Sequence, residues 1–548
     1  MTSGWQKDMF PVKQLAVVVP AGILLVWLHH WWFGSKGELR LGARMFLWAI
    51  GVSSLVLKAV TMALNDDEVY WLASSYAART GHLVGEIPMR DLMFRPILAL
   101  GLSPGATIVA GRVIVFALAL ACGFLVAAII SNITKSPSLS TLGGTITLML
   151  LAGQQMPVLR PEYVTCFLIV LGAWLLLSSF EARSPQLRLV AASAAFTLAT
   201  MSSLRQLLFL PGALAAVALC APGMTRRKSA VLAVSGCLLG ALPSLIYLHM
   251  QKGSLVRIYE FNVVLTQKMG LLGWSTPAFP LLLLCMSVVG CVLLVKNRRL
   301  VSGAGPLSLL WLFSTISLTV TPVRMYYVYG SWLALSVVVT AAGLHSLVVG
   351  KLQARGVRMQ VLIALAVAWL VCAGRVDEML AEYDYAAHGG PAQVFVSHVN
   401  LLNWLDEVKQ DGPVVCVCPY HPIRAQNAWG LWSSWPYCYL PPSELLSDMA
   451  GDIEGVLRDQ RATVLQWDAW PDVTQSSNIL VYCLDRQLIP IERIPALSRR
   501  LAEGYMLVQW NGPLLSPFGS GRFLVRRTVE LDDRVTVLDD SAILGWSR

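Results

Sequence analysis

The sequence predicts a polytopic α-helical membrane protein of about twelve transmembrane helices, followed by an α/β domain outside the cytoplasm. Three observations lead there. Hydrophobic residues make up 56% of the 548-residue chain and charged residues only 14%, whereas soluble domains carry about 25% charged residues. Apolar runs of bilayer length recur from residue 14 to residue 374. After residue 375 charges return, and short alternating runs replace the long ones.

A span needs roughly 20 mostly apolar residues. On that criterion the spans are 14–33, 41–64, 106–130, 140–156, 163–180, 189–202, 204–220, 229–249, 279–295, 305–320, 327–349 and 359–374. The first lacks a small-residue cleavage site and is followed by Lys36, Arg40 and Arg44, so it is read as a span with its N-terminus outside. The loops 34–40, 133–136, 181–188, 222–228, 296–299 and 351–358 fall at every second turn. Each contains Lys or Arg, and their only acids are Glu38 and Glu181, which makes them cytoplasmic. The alternate connections then face outward: 65–105, 157–162, the turn near 203, 250–278 and 321–326. The net charge of +10 sits mainly in the first set and reads as topology. No basic face appears on a soluble segment, so a nucleic-acid partner is not expected.

The chain divides into a membrane domain, 1–375, and a soluble extracytoplasmic α/β domain, 376–548. Alternating runs at 414–419, 462–467, 504–510 and 522–527 read as strands; 396–410 and 447–460 read as helices. Cys122, Cys166, Cys220, Cys237, Cys285, Cys291 and Cys372 lie in apolar runs and read as small buried hydrophobes. Cys416, Cys418, Cys438 and Cys483 fit no zinc spacing; outside the cytoplasm they are compatible with one or two disulfides.

Chemistry concentrates on the outward loops. NDDEVYW (65–71) opens the first of them, directly after span 41–64. Two readings stand. Asp66, Asp67 and Glu68 form a solvated cap, with Asn65 or Asp66 at the N-cap of an interfacial helix anchored by Tyr70, Trp71 and Tyr76. Alternatively Asp67, at the edge of the low-dielectric slab, is a general base, since burial and neighbouring cations tune carboxylates there. The same loop carries Asp91 and Arg95. Arg160 and Glu162 flank Pro161 at another outward helix end, a pattern that a plain charged turn would also give. Arg205 interrupts an apolar run, where a cation costs roughly 2.5–3.5 kcal/mol and usually faces a cavity or a partner. Arg324 precedes Tyr326, Tyr327 and Tyr329, as in an aromatic belt with a basic anchor. Acids and arginines on one outward face suit a site that holds a lipid-embedded phosphate and deprotonates a hydroxyl beside it.

In order and placement these motifs resemble the GT-C superfamily of integral-membrane glycosyltransferases. The likeness is strongest to the bacterial branch similar to protein mannosyltransferases and the aminoarabinose transferase of lipid A. D-D-E-V-Y (66–70) looks like the acidic motif of the first extracytoplasmic loop, and Gly81, Pro88 and Phe94-Arg95-Pro96 look like the turn that follows it. Arg112 matches an arginine that opens the next helix, R-P-E (160–162) an outward acid, S-L-R-Q (203–206) a basic position between spans, and V-R-M-Y-Y (323–327) a basic residue before a Tyr-rich helix. The resemblance covers roughly residues 41–335.

The resemblance implies a GT-C-like fold and an inverting transfer of a hexosyl or pentosyl unit at the outer face of the inner (plasma) membrane. The donor is a polyprenyl-phosphate sugar and the acceptor a hydroxyl on a lipid, glycan or protein. By residue, Asp67 is the general base, with Asp66 or Glu68 positioning the acceptor. Arg95, Arg205 and Arg324 neutralise the donor phosphate, and Glu162 orients the acceptor or an arginine. Asp91, Arg160, Arg112, Tyr326 and Tyr327 position substrate. The family often has Lys where Arg205 stands, and the acid nearest the aromatic-basic-Pro turn is Asp91, which leaves a divalent cation open. A transporter or flippase of lipid-linked sugars would use similar charges but usually shows paired repeats, which this sequence lacks. An O-antigen-ligase-type transferase carries its key arginines and histidine in a late loop, and a receptor or scaffold would not need Asp67.

Overall fold

The computed structural model describes residues 39–61, 68, 96–153, 161–203, 206–220, 223–250, 281–298, 301, 303–320, 330–351, 390–408, 414–415, 464–466, 503–514 and 521–539. The expected spans 14–33 and 359–374, the expected interfacial helix near Tyr70 and the expected helix 447–460 lie outside these residues.

Among the described residues, ten apolar helices form the bundle: α1 (Leu41–Thr61), α2 (Pro104–Thr134), α3 (Pro137–Gly153), α4 (Pro161–Ser178), α5 (Pro185–Ser202), α6 (Phe209–Cys220), α7 (Arg226–Met250), α8 (Leu281–Lys296), α9 (Ala304–Val320) and α10 (Gly330–Lys351). Each coincides with one of the expected spans, and the ends differ for local reasons. Proline opens α2, α3, α4 and α5, where its missing N–H is no loss and its fixed φ suits the first turn. The expected span 204–220 begins instead at Phe209, because the Ser203 N–H already closes α5 on Ala199 O and the Gln206 N–H bonds Ser203 O in a turn.

Five helices (α1, α2, α4, α7 and α10) are long and apolar enough to cross a membrane, and α3, α6, α8 and α9 are shorter apolar helices. On α7, Val231, Val234, Leu238, Leu242 and Leu245 form an exposed stripe; on α8, Val288, Val292 and Val295 do the same. Exposed apolar area of this extent calls for lipid. The chain is an integral, multi-pass membrane protein. Cys122 and Cys166 are buried as expected, their Sγ atoms 3.9 Å apart across α2 and α4. Cys285 is exposed, because its side of α8 is part of the outer apolar surface rather than the core.

In the bundle α2 packs on α3 and α4, α5 lies between α4 and α7, and α6 lies against α7 and α9. α10 is the most enclosed of the five long spans, touching α2, α3, α4, α8 and α9. Lipid is as apolar as leucine, so small residues and polar contacts must hold such helices together. Gly290 of α8 and Gly343 of α10 meet backbone to backbone, leaving no room for a Cβ on either. The Trp311 indole N–H donates to Ser336 Oγ and the Trp332 indole N–H to Thr315 Oγ1, both at 3.0 Å, cross-linking α9 and α10.

One end of the bundle gathers the basic connections. Lys135, after α2, pairs with Glu181, after α4, at 2.7 Å. Arg188 donates to Ser178 O, the Leu39 N–H to Ser138 Oγ, and Asn297 Nδ2 to Ser346 Oγ. Loops that the charge pattern assigned to one side thus touch one another.

After the bundle come α11 (Gly390–Val408) and a five-stranded sheet of β1 (Val414–Val415), β2 (Val464–Gln466), β3 (Tyr505–Trp510), β4 (Arg522–Arg526) and β5 (Val535–Val537). Its order is β1-β2-β4-β3-β5, with β1 and β2 parallel and the other neighbours antiparallel. Register places Val508 opposite Phe523 and Met506 opposite Val525, so Val508, Phe523 and Val525 join the core. At the sheet edge Arg534 pairs with Glu407 of α11 and with Asp532. The guanidinium beside Asp532 holds that carboxyl below the usual range.

Candidate active site

Glu68 and Arg112 meet at the end of the bundle away from the basic connections. Helix α2 delivers the arginine. Ser103 is its N-cap, with Oγ accepting from the Ala106 N–H, and Pro104 opens it. Arg112 follows eight residues later, about 12 Å along the axis. From there to Thr134 the helix runs a further ~33 Å, close to one hydrocarbon thickness. The guanidinium therefore lies far along α2 from the basic end.

An arginine inside an apolar span must find partners within the protein. Arg112 is 5% exposed and Glu68 fully buried. Arg112 Nε donates to Glu68 Oε1 at 2.9 Å and Nη2 to Oε2 at 2.6 Å, a two-pronged ion pair. Its Nη1 donates to Ala59 O at 3.0 Å. Ala59 lies in the last turn of α1, where carbonyls have no helical partner and a cation complements the dipole. The guanidinium face is covered by the Phe395 ring, 4.1 Å from Cζ to the centroid.

Phe395 arrives on α11, two sides of which make contacts. At 100° per residue, Phe395, Val399 and Asn403 share one side, while Ser397, Trp404 and Val408 share the other. The first side meets the bundle. Asn403 Oδ1 accepts from the Gly105 N–H at 3.1 Å, and α11 packs on α1 and α2. The second side meets the sheet. The Trp510 indole donates to Ser397 Oγ at 2.9 Å, and the Trp404 ring lies 5.8 Å from Trp510 and 6.0 Å from Phe523. Gly105 permits the close approach, since a Cβ there would stand 2.6 Å from Val399 Cγ1 and 2.9 Å from Val399 O. Gly105→Val is therefore expected to lift α11 at a cost of about 1–3 kcal/mol. Amide hydrogen exchange across 395–403 measures this; unchanged exchange would mean that the contact does not hold the helix.

Glu162 is buried in the first turn of α4, beside buried Tyr163 and Thr165. A carboxylate is favoured there by the exposed N–H groups and the dipole. Asp66, Asp67, Asp91, Arg95, Arg160, Arg205, Arg324, Tyr326 and Tyr327 lie outside the described residues. Residues flanking two of them are described. Ile97 is buried just after Arg95-Pro96, and Ser203 and Gln206 are buried on either side of Leu204-Arg205. Ser203 Oγ and Gln206 Oε1 have no hydrogen-bond partner among the described residues. Among the described residues no three His, Cys, Asp or Glu side chains gather as a metal site.

Sequence reasoning picked out Glu68, Arg112 and Glu162 but not that Glu68 and Arg112 are partners. It also missed Phe395, Asn403 and Gly105. The i, i+4, i+8 spacing of 395, 399 and 403 is a detectable signal, but that side of the helix mixes an aromatic, an aliphatic and an amide.

By sequence, the chain matches no family model and no curated protein. By structure it is similar to ArnT from Cupriavidus metallidurans, solved bound to undecaprenyl phosphate. The identity is 12% and the TM-score 0.51, over 78% of this chain and 94% of that one. It is also similar to the oligosaccharyltransferase AglB from Archaeoglobus fulgidus, solved with an inhibitory peptide and a dolichol-phosphate. There the identity is 11% and the TM-score 0.45, over 91% of this chain and 76% of that one. The bundle of apolar helices, with an acid and an arginine buried together at one end, thus has a fold similar to that of ArnT.

Proposed function

We propose that the protein is a glycosyltransferase that moves a sugar, with inversion, from a polyprenyl-phosphate donor to an acceptor hydroxyl at the extracytoplasmic face of the plasma membrane. The observation that carries this reading is the buried Glu68–Arg112 pair at the end of the bundle away from the basic connections. It anchors the D-D-E segment within a GT-C fold. ArnT of similar fold was solved with undecaprenyl phosphate, the lipid class proposed here as leaving group. In this reading the membrane part has twelve spans, including 14–33 and 359–374, and residues 376–548 form one domain on the same side as the site.

The pairing supports a separate role for Glu68, and the resemblance singles out Asp67 among the other two acids. Both Glu68 oxygens accept from Arg112, so Glu68 serves as the anchor of the motif. Asp67 is left as the base that takes the acceptor proton, and Asp66 orients that acceptor. Arg95, Arg205 and Arg324 bind the donor phosphate and stabilise the charge it gains on leaving. Glu162, Arg160, Asp91, Tyr326 and Tyr327 orient the two substrates. The acceptor oxygen attacks the anomeric carbon, the bond to phosphate oxygen breaks with its electron pair, and the acceptor proton passes to Asp67.

Binding of undecaprenyl phosphate to the purified protein tests the phosphate site without knowledge of the sugar. Arg205→Gln and Arg324→Gln are each expected to weaken it about tenfold to a hundredfold, as loss of a charge-assisted bond implies. Wild-type affinity in both would remove these arginines from the donor site.

A further inference from the structure

The acidic motif of the membrane domain is braced by a helix of the tail. Glu68 is held by Arg112, and the Phe395 ring of α11 covers the face of that guanidinium at 4.1 Å. The two contacts do not compete. A guanidinium donates in its plane, here to Glu68 and Ala59 O, and attracts an aromatic ring along its normal. The ring also keeps water off the guanidinium face that it covers, and an ion pair strengthens as water is excluded. Consecutive Cα atoms are about 3.8 Å apart, so holding the Glu68 backbone limits how far Asp67 can move. On its opposite side α11 is bound to the sheet through Ser397–Trp510 and the Trp404 ring cluster.

We propose that Phe395 is a positioning residue for the reaction: by stacking on Arg112 it makes α11, and through α11 the tail sheet, set the placement of the D-D-E segment. The tail is then part of the catalytic apparatus without touching the reacting atoms. The proposal rests on the glycosyltransferase reading for its consequence in turnover, but not for the contact itself.

The test uses the full chain in nanodiscs and two substitutions, Phe395→Leu and Phe395→Trp. Leucine keeps an apolar side chain but not the π-face; tryptophan keeps the face. In Phe395→Leu, amide exchange across 62–70 is expected to rise about three- to thirtyfold, the range such a contact implies, and Phe395→Trp to restore it. Exchange across 505–510 in the sheet should stay at the wild-type rate in both. Where a polyprenyl-phosphate sugar is turned over, Phe395→Leu lowers kcat by a similar factor with KM little changed, and Phe395→Trp recovers it. Unchanged exchange at 62–70 in Phe395→Leu, equal loosening in both variants, or loosening of the sheet as well would each overturn the proposal. If the wild type turns over no lipid-linked sugar, the exchange comparison still decides the positioning role, and the glycosyltransferase reading alone falls.

Discussion

Asp67→Asn is expected to lower kcat by about 10²- to 10⁴-fold, the range of a lost general base, while the protein stays folded. The substitution keeps size and polarity but removes the group proposed to accept the hydroxyl proton. Binding of undecaprenyl phosphate should persist, because the arginines proposed to hold it are untouched. Glu68→Gln should differ in kind. Its effect arises through loss of the Arg112 pair, so thermal stability falls together with activity. Measuring kcat, lipid binding and melting temperature on both variants separates a base from an anchor. Full turnover in Asp67→Asn would move the base to another acid.

Arg112→Met is expected to destabilise the membrane domain by about 3–5 kcal/mol, the usual consequence of leaving one buried charge without its partner. Three features set that size: Glu68 is fully buried, both its oxygens accept from Arg112, and the Ala59 carbonyl loses its donor as well. The double change Glu68→Met with Arg112→Met should recover much of the loss, since removing both partners leaves no orphaned charge. It should not recover activity, because the segment carrying Asp67 has lost its anchor. Chemical denaturation of the three variants in one detergent measures the stability side. A double variant as unstable as Arg112→Met would show that the cost lies in packing against Phe395 rather than in the ion pair.

Much of the membrane architecture was legible because an apolar run is a local signal. The helices α1 to α10 fall on runs visible in the sequence, and the prolines at 104, 137, 161 and 185 mark four starts. The order of basic loops also carried over: Lys135 and Glu181, from two loops assigned to one side, are in contact. Residues 204–208 misled because Leu204, Leu207 and Leu208 carry the apolar run past Arg205, while the Gln206–Ser203 hydrogen bond turns the chain there. Cys285 misled for a different reason. Membrane helices are apolar on both core and lipid faces, so hydropathy cannot tell the two apart.

The site was legible in residue types but not in pairings. Glu68 and Glu162 stood out as acids at outward helix ends and Arg112 through the family resemblance, and all three are buried. That Arg112 answers Glu68 is decided by how α1 and α2 pack, which no local pattern encodes. Phe395 lay deeper still. It is half-buried, at the border between the buried and exposed sides of α11, and its target is an arginine of the membrane domain far earlier in the chain. An amphipathic pattern marks the buried side of a helix, not a contact at its border.

The most direct test of the central claim is release of polyprenyl phosphate. The full-length protein in nanodiscs is given polyprenyl-phosphate-linked hexoses and pentoses together with envelope lipid, glycan and protein acceptors. Free polyprenyl phosphate is then counted against glycosylated acceptor by mass spectrometry. The account predicts one-to-one release with at least one donor and its loss in Asp67→Asn. Binding or transbilayer movement of intact donor with no bond cleaved, at any acceptor, would contradict it and favour a transporter of lipid-linked sugars.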